Sequence, residues 1–155
     1  MLKYLLLVSL IGPVAAHYVN ITVNGTVFCG TDNPVDLPVE LWDDDTVFDD
    51  LLFTTQSNRS GYFEMNVTEY VYFYLRPYIY IHHRCKVHMF SDEDCHIETQ
   101  IMLLDYDEEV NTRVTLGDLD LKTDQRDGIK HEVVCGGLTT PFHSRKRREP
   151  MAFSD

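Results

Sequence analysis

Hydrophobic and polar residues alternate with a period of two along much of the chain. In the segment 18–28, Val19, Ile21, Val23 and Val27 fall on one face, and asparagines and threonines fall on the other. Because side chains of a strand point alternately to its two sides, this pattern predicts a half-buried β-strand. Related patterns predict strands over 39–42, 51–56, 61–67, 77–83, 98–104, 112–121 with a break at Gly117, and 129–134.

The predicted strands are short and are separated by turn sequences, and no segment has the period of a convincing amphipathic helix. This arrangement predicts an all-β protein, an antiparallel β-sandwich formed by one domain over residues 17–135. From about residue 136 the composition turns polar and basic. We therefore expect a disordered C-terminal tail over residues 136–155.

Residues 1–16 have the pattern of a secretory signal peptide. One cation, Lys3, precedes a nearly continuous apolar run over 5–11, and small residues end the segment at Ala16. The run is well short of the roughly 20 apolar residues that a membrane-spanning helix needs. We expect cleavage after Ala16, a secreted extracellular protein, and no transmembrane segment.

The chain is acidic, and its charge is unevenly distributed. The formal net charge is −12, and residues 17–144 hold 23 acidic against 8 basic residues. Such a domain is repelled by nucleic-acid phosphates, so we expect no nucleic-acid binding. A basic run follows, which consists of Arg145, Lys146, Arg147 and Arg148. It predicts cleavage by a furin-like convertase, an electrostatic arm for a glycosaminoglycan or another anionic surface, or a solvated tail without a role.

Four cysteines in a secreted chain predict two disulfides. Three connectivities are open, and the sequence does not choose among them. A bond between Cys85 and Cys95 closes a short local loop and is the expected one. A bond between Cys29 and Cys135 then follows by elimination.

Four sequons for N-linked glycosylation agree with secretion. Their asparagines are Asn20, Asn24, Asn58 and Asn66. In the first predicted strand the sequons lie on the outward face, where a glycan has room. We expect at least one of the four to carry a glycan, and the alternative is that some of them lie too close to the packed sheet to be reached.

Five aspartates lie within eight positions between two predicted strands, namely Asp43, Asp44, Asp45, Asp49 and Asp50. Counted from Asp43, positions 5, 6 and 12 are Val47, Phe48 and Thr54, which excludes the ligand pattern of an EF-hand loop. The expected arrangement is a solvated acidic loop, and a looser calcium site is the alternative. Such a loop resists edge-to-edge aggregation and presents a charged face to a basic partner.

A second group of possible metal ligands comprises His82, His83, Cys85, His88, Cys95 and His96. Zinc would use thiolates and imidazoles at regular spacings. The expected disulfide removes both thiolates, and His82 and His83 point to opposite faces of a predicted strand. We therefore expect no bound metal and no cofactor.

Several sequence blocks occur in an order and spacing that resemble the nematode transthyretin-like family over about residues 18–122. The blocks are GTVFC (25–29), VELWDDDT (39–46), DDLL (49–52), TQSN (55–58), GYFE (61–64), PYIYIHHRC (77–85), Cys95, and GDLDL (117–121). The resemblance implies a transthyretin-like, or prealbumin-like, β-sandwich of seven to eight strands in two sheets. The turn 57–61 is about two residues longer than is usual in the family, and the chain after Leu121 has no dependable counterpart there.

Transthyretin-fold relatives include a hydrolase of 5-hydroxyisourate, whose C-terminal Tyr-Arg-Gly-Ser signature is absent from this sequence. We expect a non-enzymatic protein that binds an extracellular or cell-surface protein through loops and sheet edges, with a lipid or a glycosaminoglycan as further candidate partners. One alternative is an oligomeric carrier of small apolar ligands, as transthyretin is, and another is a precursor trimmed at the basic run. The resemblance also allows a homodimer, because transthyretin pairs its subunits through edge strands.

Overall fold

The computed structural model describes residues 17–45, 48–71, 75–85, 95–103 and 111–135. These residues form eight β-strands and no helix. The strands are β1 (His17–Phe28), β2 (Pro38–Asp43), β3 (Asp50–Gln56), β4 (Tyr62–Val71), β5 (Pro77–His83), β6 (Cys95–Met102), β7 (Asn111–Asp120) and β8 (Ile129–Cys135).

The strands predicted from the alternating pattern are confirmed. The prediction over 77–83 has the bounds of β5, whereas β4 continues to Val71 and β6 begins already at Cys95. The predicted break at Gly117 is a bulge within a continuous β7. Gly117 has a positive φ of 67°, and the register of pairing between β1 and β7 shifts beside it.

The strands form two sheets that pack face to face. The smaller sheet has the order β4-β1-β7, and the larger has the order β3-β2-β5-β6-β8. Neighbours are antiparallel except for β1 and β7, which run parallel. The predicted sandwich of seven to eight strands is confirmed, with one parallel pair that the sequence did not predict.

The core lies between the sheets and consists of the inward-facing residues of both. In β1 the four apolar residues assigned to one face by their spacing are each at most 1% exposed. They pack in one cluster with Leu41 of β2 and with Ile79 and Ile81 of β5. Each such buried side chain stabilises the fold by about 1.5–3 kcal/mol relative to an exposed one.

The turn between β3 and β4 is organised by Asn58 and Gly61. The backbone N–H of Asn58 donates to the carbonyl of Tyr62 at 2.9 Å, and the N–H of Gly61 donates to the carbonyl of Asn58 at 2.9 Å. Gly61 has a positive φ of 78°, and its carbonyl accepts the N–H of Val27 at 2.9 Å. The turn is thereby fixed against the end of β1.

The sandwich has two chemically different ends. β3 carries the chain from the aspartate loop to the turn 57–61 over 7 residues. At about 3.3 Å per residue, these two features lie roughly 20 Å apart. We call one end the acidic end, which holds the loop between β2 and β3, Arg76 and the start of β1. The opposite end holds the turn 57–61 and the four cysteines, and we call it the disulfide end.

The cysteine pairing differs from the expected one. Two disulfides form, as expected, but Cys29 is bonded to Cys85, and Cys95 is bonded to Cys135. Cys29 follows β1 and Cys85 follows β5, so the first bond joins the two sheets at one end. Cys95 and Cys135 are directly opposite on β6 and β8, with Cα atoms 4.1 Å apart. The prediction was wrong because it weighed the short loop alone and did not place the strand ends.

Candidate functional site

The loop between β2 and β3 holds the five aspartates, and two of them are not solvated. Asp43 ends β2 and is paired across the ladder with Asp50, the first residue of β3. Asp43 is 9% exposed and Asp49 is 5% exposed. Asp45 is exposed, whereas Asp44 and Asp50 are half-buried. The expectation of a fully solvated loop is therefore wrong for Asp43 and Asp49.

Arg76 fastens this loop to the start of β5. Its backbone N–H donates to Oδ1 of Asp43 at 2.8 Å, and its carbonyl accepts the N–H of Asp44 at 3.0 Å. Its guanidinium donates to the carbonyl oxygen of Asp44 at 3.1 Å and lies 3.6 Å from the carboxylate of the same residue. These four contacts fix the backbone where β2 ends.

The pKa of the Asp43 carboxyl group is shifted upward, toward the neutral range. Its pKa is raised from 3.8 to about 6, chiefly because burial disfavours the charged form. The hydrogen bond from the N–H of Arg76 lowers the pKa, and the neighbouring charges of Asp45, Asp50 and Asp44 raise it. The charge of the acidic end therefore changes around pH 6.

Asp49 is hydrogen-bonded to one member of an aromatic cluster. The hydroxyl of Tyr78 donates to Oδ2 of Asp49 at 2.7 Å. Tyr78 packs with Trp42 and Tyr80 on the outer face of the five-stranded sheet, and all three are buried. Oδ1 of Asp49 is buried without a hydrogen-bond partner among the described residues. The loop is thus anchored on both sides, to Arg76 before β5 and to Tyr78 within it.

Three aromatic side chains are exposed at the same end of the sandwich. Phe48 in the loop is 44% exposed, and Tyr18 and Tyr70 are 64% and 43% exposed. Tyr18 and Tyr70 are paired across β1 and β4, and their ring centroids lie 4.9 Å apart. Aromatic residues are enriched in protein interfaces, so this end combines negative charge with potential anchor residues.

The five-stranded sheet separates His83 from His82 and His96, the other described histidines that were considered for zinc. His82 is exposed and His83 is 3% exposed, which confirms that they lie on opposite faces of β5. On the outer face the rings of His82 and His96 lie 4.0 Å apart, and burial lowers the pKa of His82. His88 lies outside the described residues. Among the residues that are described, no group of three His, Cys, Asp or Glu side chains could hold a metal ion.

On the inner face His83 belongs to a chain of hydrogen bonds in which each group donates to the next. The N–H of Cys85 donates to Nδ1 of His83 at 3.2 Å, so the neutral ring carries its proton on Nε2 and donates to Thr99 Oγ1 at 2.7 Å. The Thr99 hydroxyl then donates to Nδ1 of His131 at 2.8 Å, and Nε2 of His131 donates to the carbonyl of Asp124 at 2.7 Å. Burial lowers the pKa of His83 to about 4, with smaller effects of His131 and His82.

The four sequons differ in their surroundings. Asn58 lies in the exposed turn, and Asn66 is exposed on the edge strand β4, where its Nδ2 donates to Thr22 Oγ1 at 3.2 Å. Asn20 and Asn24 face away from the core on β1, as predicted. Because β1 is the central strand, however, Asn24 is only 9% exposed, and Oδ1 of Asn20 is buried without a partner among the described residues. Asn24 therefore has little room for a glycan, in line with the alternative that some sequons lie too close to the packed sheet.

Two predicted segments, the signal peptide over 1–16 and the tail with Arg145–Arg148, lie outside the described residues and stay predictions. None of the segments that the structure describes is a helix long and apolar enough to cross a membrane.

The residues that the structure describes line at least two clefts on the sandwich. One of about 190 Å³ lies between the sheets beside β7, and its lining includes Leu103, Val114 and Arg126. The other, of about 410 Å³, lies where β2 begins and β5 ends, and its lining includes Glu40, His82 and Arg84. The first is smaller than the roughly 300–1,000 Å³ of typical ligand pockets, and the second lies within that range, with the charged Glu40 and Arg84 in its lining. The hypothesis of an apolar-ligand carrier stays a prediction.

The sequence interpretation missed Arg76 and Tyr78, the two residues that anchor the acidic loop. One signal for Tyr78 was present in the sequence. In the segment 77–83 aromatic and aliphatic residues alternate, so both faces of the strand are apolar, which is typical of a strand that is covered on both sides. Arg76 acts mostly through its backbone, for which the sequence has no signal.

Comparison with known proteins agrees with this architecture. The model of the Transthyretin-like family matches residues 24–103, from β1 through β6, and includes the acidic loop. No curated protein matches the chain. A solved structure with some similarity is a 9R-lipoxygenase from Cyanothece PCC8801, which is 14% identical with a TM-score of 0.38 and is aligned over 67% of this chain and 16% of its own. A TM-score this low supports no conclusion about the fold or the function of this chain. The family match covers more than half of the sequence, and the expected transthyretin-like sandwich is confirmed. The chain therefore belongs to the Transthyretin-like family.

Proposed function

We propose that this protein is secreted and non-enzymatic, and that it binds an extracellular or cell-surface protein through its acidic end. One observation carries the proposal: a loop rich in aspartates is anchored through Asp43 and Asp49, yet it leaves Phe48 44% exposed. An apolar side chain on an anchored loop loses little conformational freedom when it binds, so more of its contact energy becomes affinity.

The anchoring explains why Asp43 and Asp49 are buried while their neighbours are not. The hydrogen bonds from Arg76 and Tyr78 hold these two carboxyl groups inside. Asp44, Asp45 and Asp50 remain accessible in part around Phe48. An aromatic anchor within a charged rim is a common arrangement in protein interfaces.

The charge of the loop indicates the kind of partner. Carboxylates around an apolar contact favour a basic surface, because complementary charges speed encounter and disfavour wrong partners. The chain as a whole has a net charge of −12, which extends the same attraction over a longer range. We expect the partner to present lysine or arginine side chains around an apolar pocket.

Secretion is supported by the signal pattern over 1–16 and by the four sequons, and the two disulfides suit an oxidising compartment. The non-enzymatic character is supported by family membership and by the missing hydrolase signature.

The test is saturable binding of labelled secreted protein to live cells of the source organism, with unlabelled protein as competitor. We expect Phe48→Ala to weaken binding about tenfold or more, as loss of an aromatic anchor does. Because Phe48 is exposed, its free energy of unfolding should change by less than about 0.5 kcal/mol.

Phe53→Ala is the matched control. Phe53 is 38% exposed on β3, outside the loop, and its replacement should leave binding unchanged. Equal binding by wild type and Phe48→Ala, or equal losses in both variants, would contradict the acidic end as the binding site. Absence of saturable binding by the wild type would contradict the proposed function itself.

A further inference from the structure

We infer that Asn58 is an N-glycan attachment site of the folded protein and that Asn24 stays unmodified. The inference rests on the proposed secretion, because glycan transfer takes place in the secretory pathway. The two asparagines both match the N-x-[ST] pattern, Asn58 through Ser60 and Asn24 through Thr26, so the inference distinguishes them by their surroundings in the structure.

Asn58 is held in a turn that directs its amide nitrogen outward. Its Oδ1 accepts three hydrogen bonds, from Ser60 N at 2.9 Å, from Ser60 Oγ at 2.8 Å and from Tyr62 N at 3.0 Å. Three donors around one atom identify it as the carbonyl oxygen and fix the amide plane. Within the described part of the chain, Nδ2 has no hydrogen-bond partner, and the residue is exposed.

Transfer at Asn58 is compatible with every one of these contacts. The co-reactant is an oligosaccharide linked to a polyprenyl diphosphate. A bond forms between Nδ2 and C1 of the first sugar, the bond from C1 to the diphosphate oxygen breaks, and the diphosphate leaves with the electron pair. Nδ2 loses one proton, which passes to the released diphosphate, and Oδ1 keeps its three hydrogen bonds. The Ser60 hydroxyl, which completes the sequon, already donates a hydrogen bond to Oδ1 of Asn58.

The turn is shaped mainly by local hydrogen bonds. Five of them join residues between Asn58 and Tyr62, and the bond from the Val27 N–H to the Gly61 carbonyl then ties this turn to β1. Because the five bonds are local, the turn can exist in a chain that has not yet closed its sheets, which is the state in which glycans are transferred.

Asn24 is in the opposite situation. It lies on the central strand β1 between its ladder partners Glu64 and Thr115. Arg113, which pairs with Thr22 on the same face, reaches to 3.9 Å from the carboxylate of Glu64. A sugar on Asn24 would have to displace this pair, so chains modified there are disfavoured in the folded, secreted pool. Asn66 is intermediate, because its amide is engaged with Thr22.

The position of Asn58 is consistent with binding at the acidic end. The turn 57–61 lies at the disulfide end, roughly 20 Å from the aspartate loop. A glycan on Asn58 therefore leaves Phe48 and its neighbouring carboxylates uncovered.

The experiment expresses residues 17–155 behind an established signal peptide in glycosylating cells. Secreted protein is treated with an amidase that converts glycan-bearing Asn to Asp in heavy-oxygen water, and the labelled peptides are identified by mass spectrometry. We expect the label at Asn58 in most molecules and none at Asn24. Asn58→Asp keeps the oxygen acceptor and removes the amide, and Ser60→Ala removes the hydroxyl. Both should lose the mobility shift caused by that glycan, whereas Asn24→Asp should retain the full wild-type shift.

The inference would be overturned by secreted protein in which most molecules lack the label at Asn58, and equally by a label at Asn24. The same chain with its own residues 1–16 tests secretion separately. If that chain stays inside the cell, the proposed secretion fails, while the chain with the established signal still decides the occupancy of Asn58.

Discussion

Gly61 is the residue that the β3–β4 turn can least easily replace. A Cβ atom there would lie 2.1 Å from the carbonyl oxygen of Val27, and its φ of 78° disfavours any other residue. We expect Gly61→Ala to lower the free energy of unfolding by about 3 kcal/mol or more, measured by urea denaturation.

Gly117→Ala separates the two causes. Gly117 has a similar φ of 67°, but a Cβ there meets no atom within 4 Å. Its replacement should cost only about 1 kcal/mol, from the backbone conformation alone. Equal losses in the two variants would show that contact with Val27 has no part in the effect.

At the scale of single residues, the sequence predicted side-chain direction well and burial of charge poorly. The period of two placed Val19, Ile21 and Val23 in the core correctly, because alternation is a property of the strand itself. The burial of Asp43 and Asp49 depends on Arg76 and Tyr78, which are far away in sequence. A local cluster of like charges resembles a solvated loop until such partners are known.

At the scale of elements, β8 is an edge strand that is held in place by a few contacts with β6. Most of its side chains are exposed, and its contacts within the sheet are with β6 alone. The bond from Cys135 to Cys95 closes one end of the β6–β8 pair, and the hydrogen bond of His131 to Thr99 lies near its middle.

Replacing both Cys95 and Cys135 by serine should release this strand. We expect hydrogen exchange to become fast in β8 while β1 stays protected, and a loss of roughly 2–4 kcal/mol in unfolding free energy. Peptide mapping of the unreduced wild type should find Cys29 with Cys85 and Cys95 with Cys135. A peptide that joins Cys85 to Cys95 would contradict the pairing.

The wrong disulfide prediction shows that knowing where each strand begins and ends does not establish which strands are neighbours. The strands around each cysteine were predicted correctly, but the neighbours of each strand were not. Cys135 is opposite Cys95 only because β8 pairs with β6. β8 lies outside the part of the chain that matches the family. Sequence separation was the only distance available, and in a sandwich it is a poor measure of distance in space.

At the scale of the whole molecule, two buried groups give stability opposite pH dependences. The pKa of Asp43 is raised to about 6, so its contribution to stability is fully present below about pH 3.8 and is lost as the pH rises through 6. The pKa of His83 is lowered from 6.5 to about 4, so its contribution is present above pH 6.5 and is lost as the pH falls toward 4. Between about pH 4 and 6 the two slopes oppose each other.

The variant Asp43→Asn should reveal how His83 makes the free energy of unfolding depend on pH, because it removes the opposing effect of Asp43. The amide keeps an oxygen for the N–H of Arg76 and carries no charge. In urea unfolding at several pH values, we expect this variant to lose stability from pH 6.5 to 5, by on the order of 2 kcal/mol, while the wild type changes less. Conversely, His83→Gln should lose stability as the pH rises from 4 to 6. Curves parallel to that of the wild type would contradict the opposition.

The parallel pairing of β1 with β7 has a consequence for the order of synthesis. β1 is the first of the eight strands to be made, yet its two neighbours are the fourth and the seventh. Until residues 111–120 emerge, one side of β1 keeps unpaired N–H and C=O groups, which are a template for pairing with another chain. A product truncated after β6 should therefore aggregate rather than fold, although it contains nearly the whole segment that matches the family.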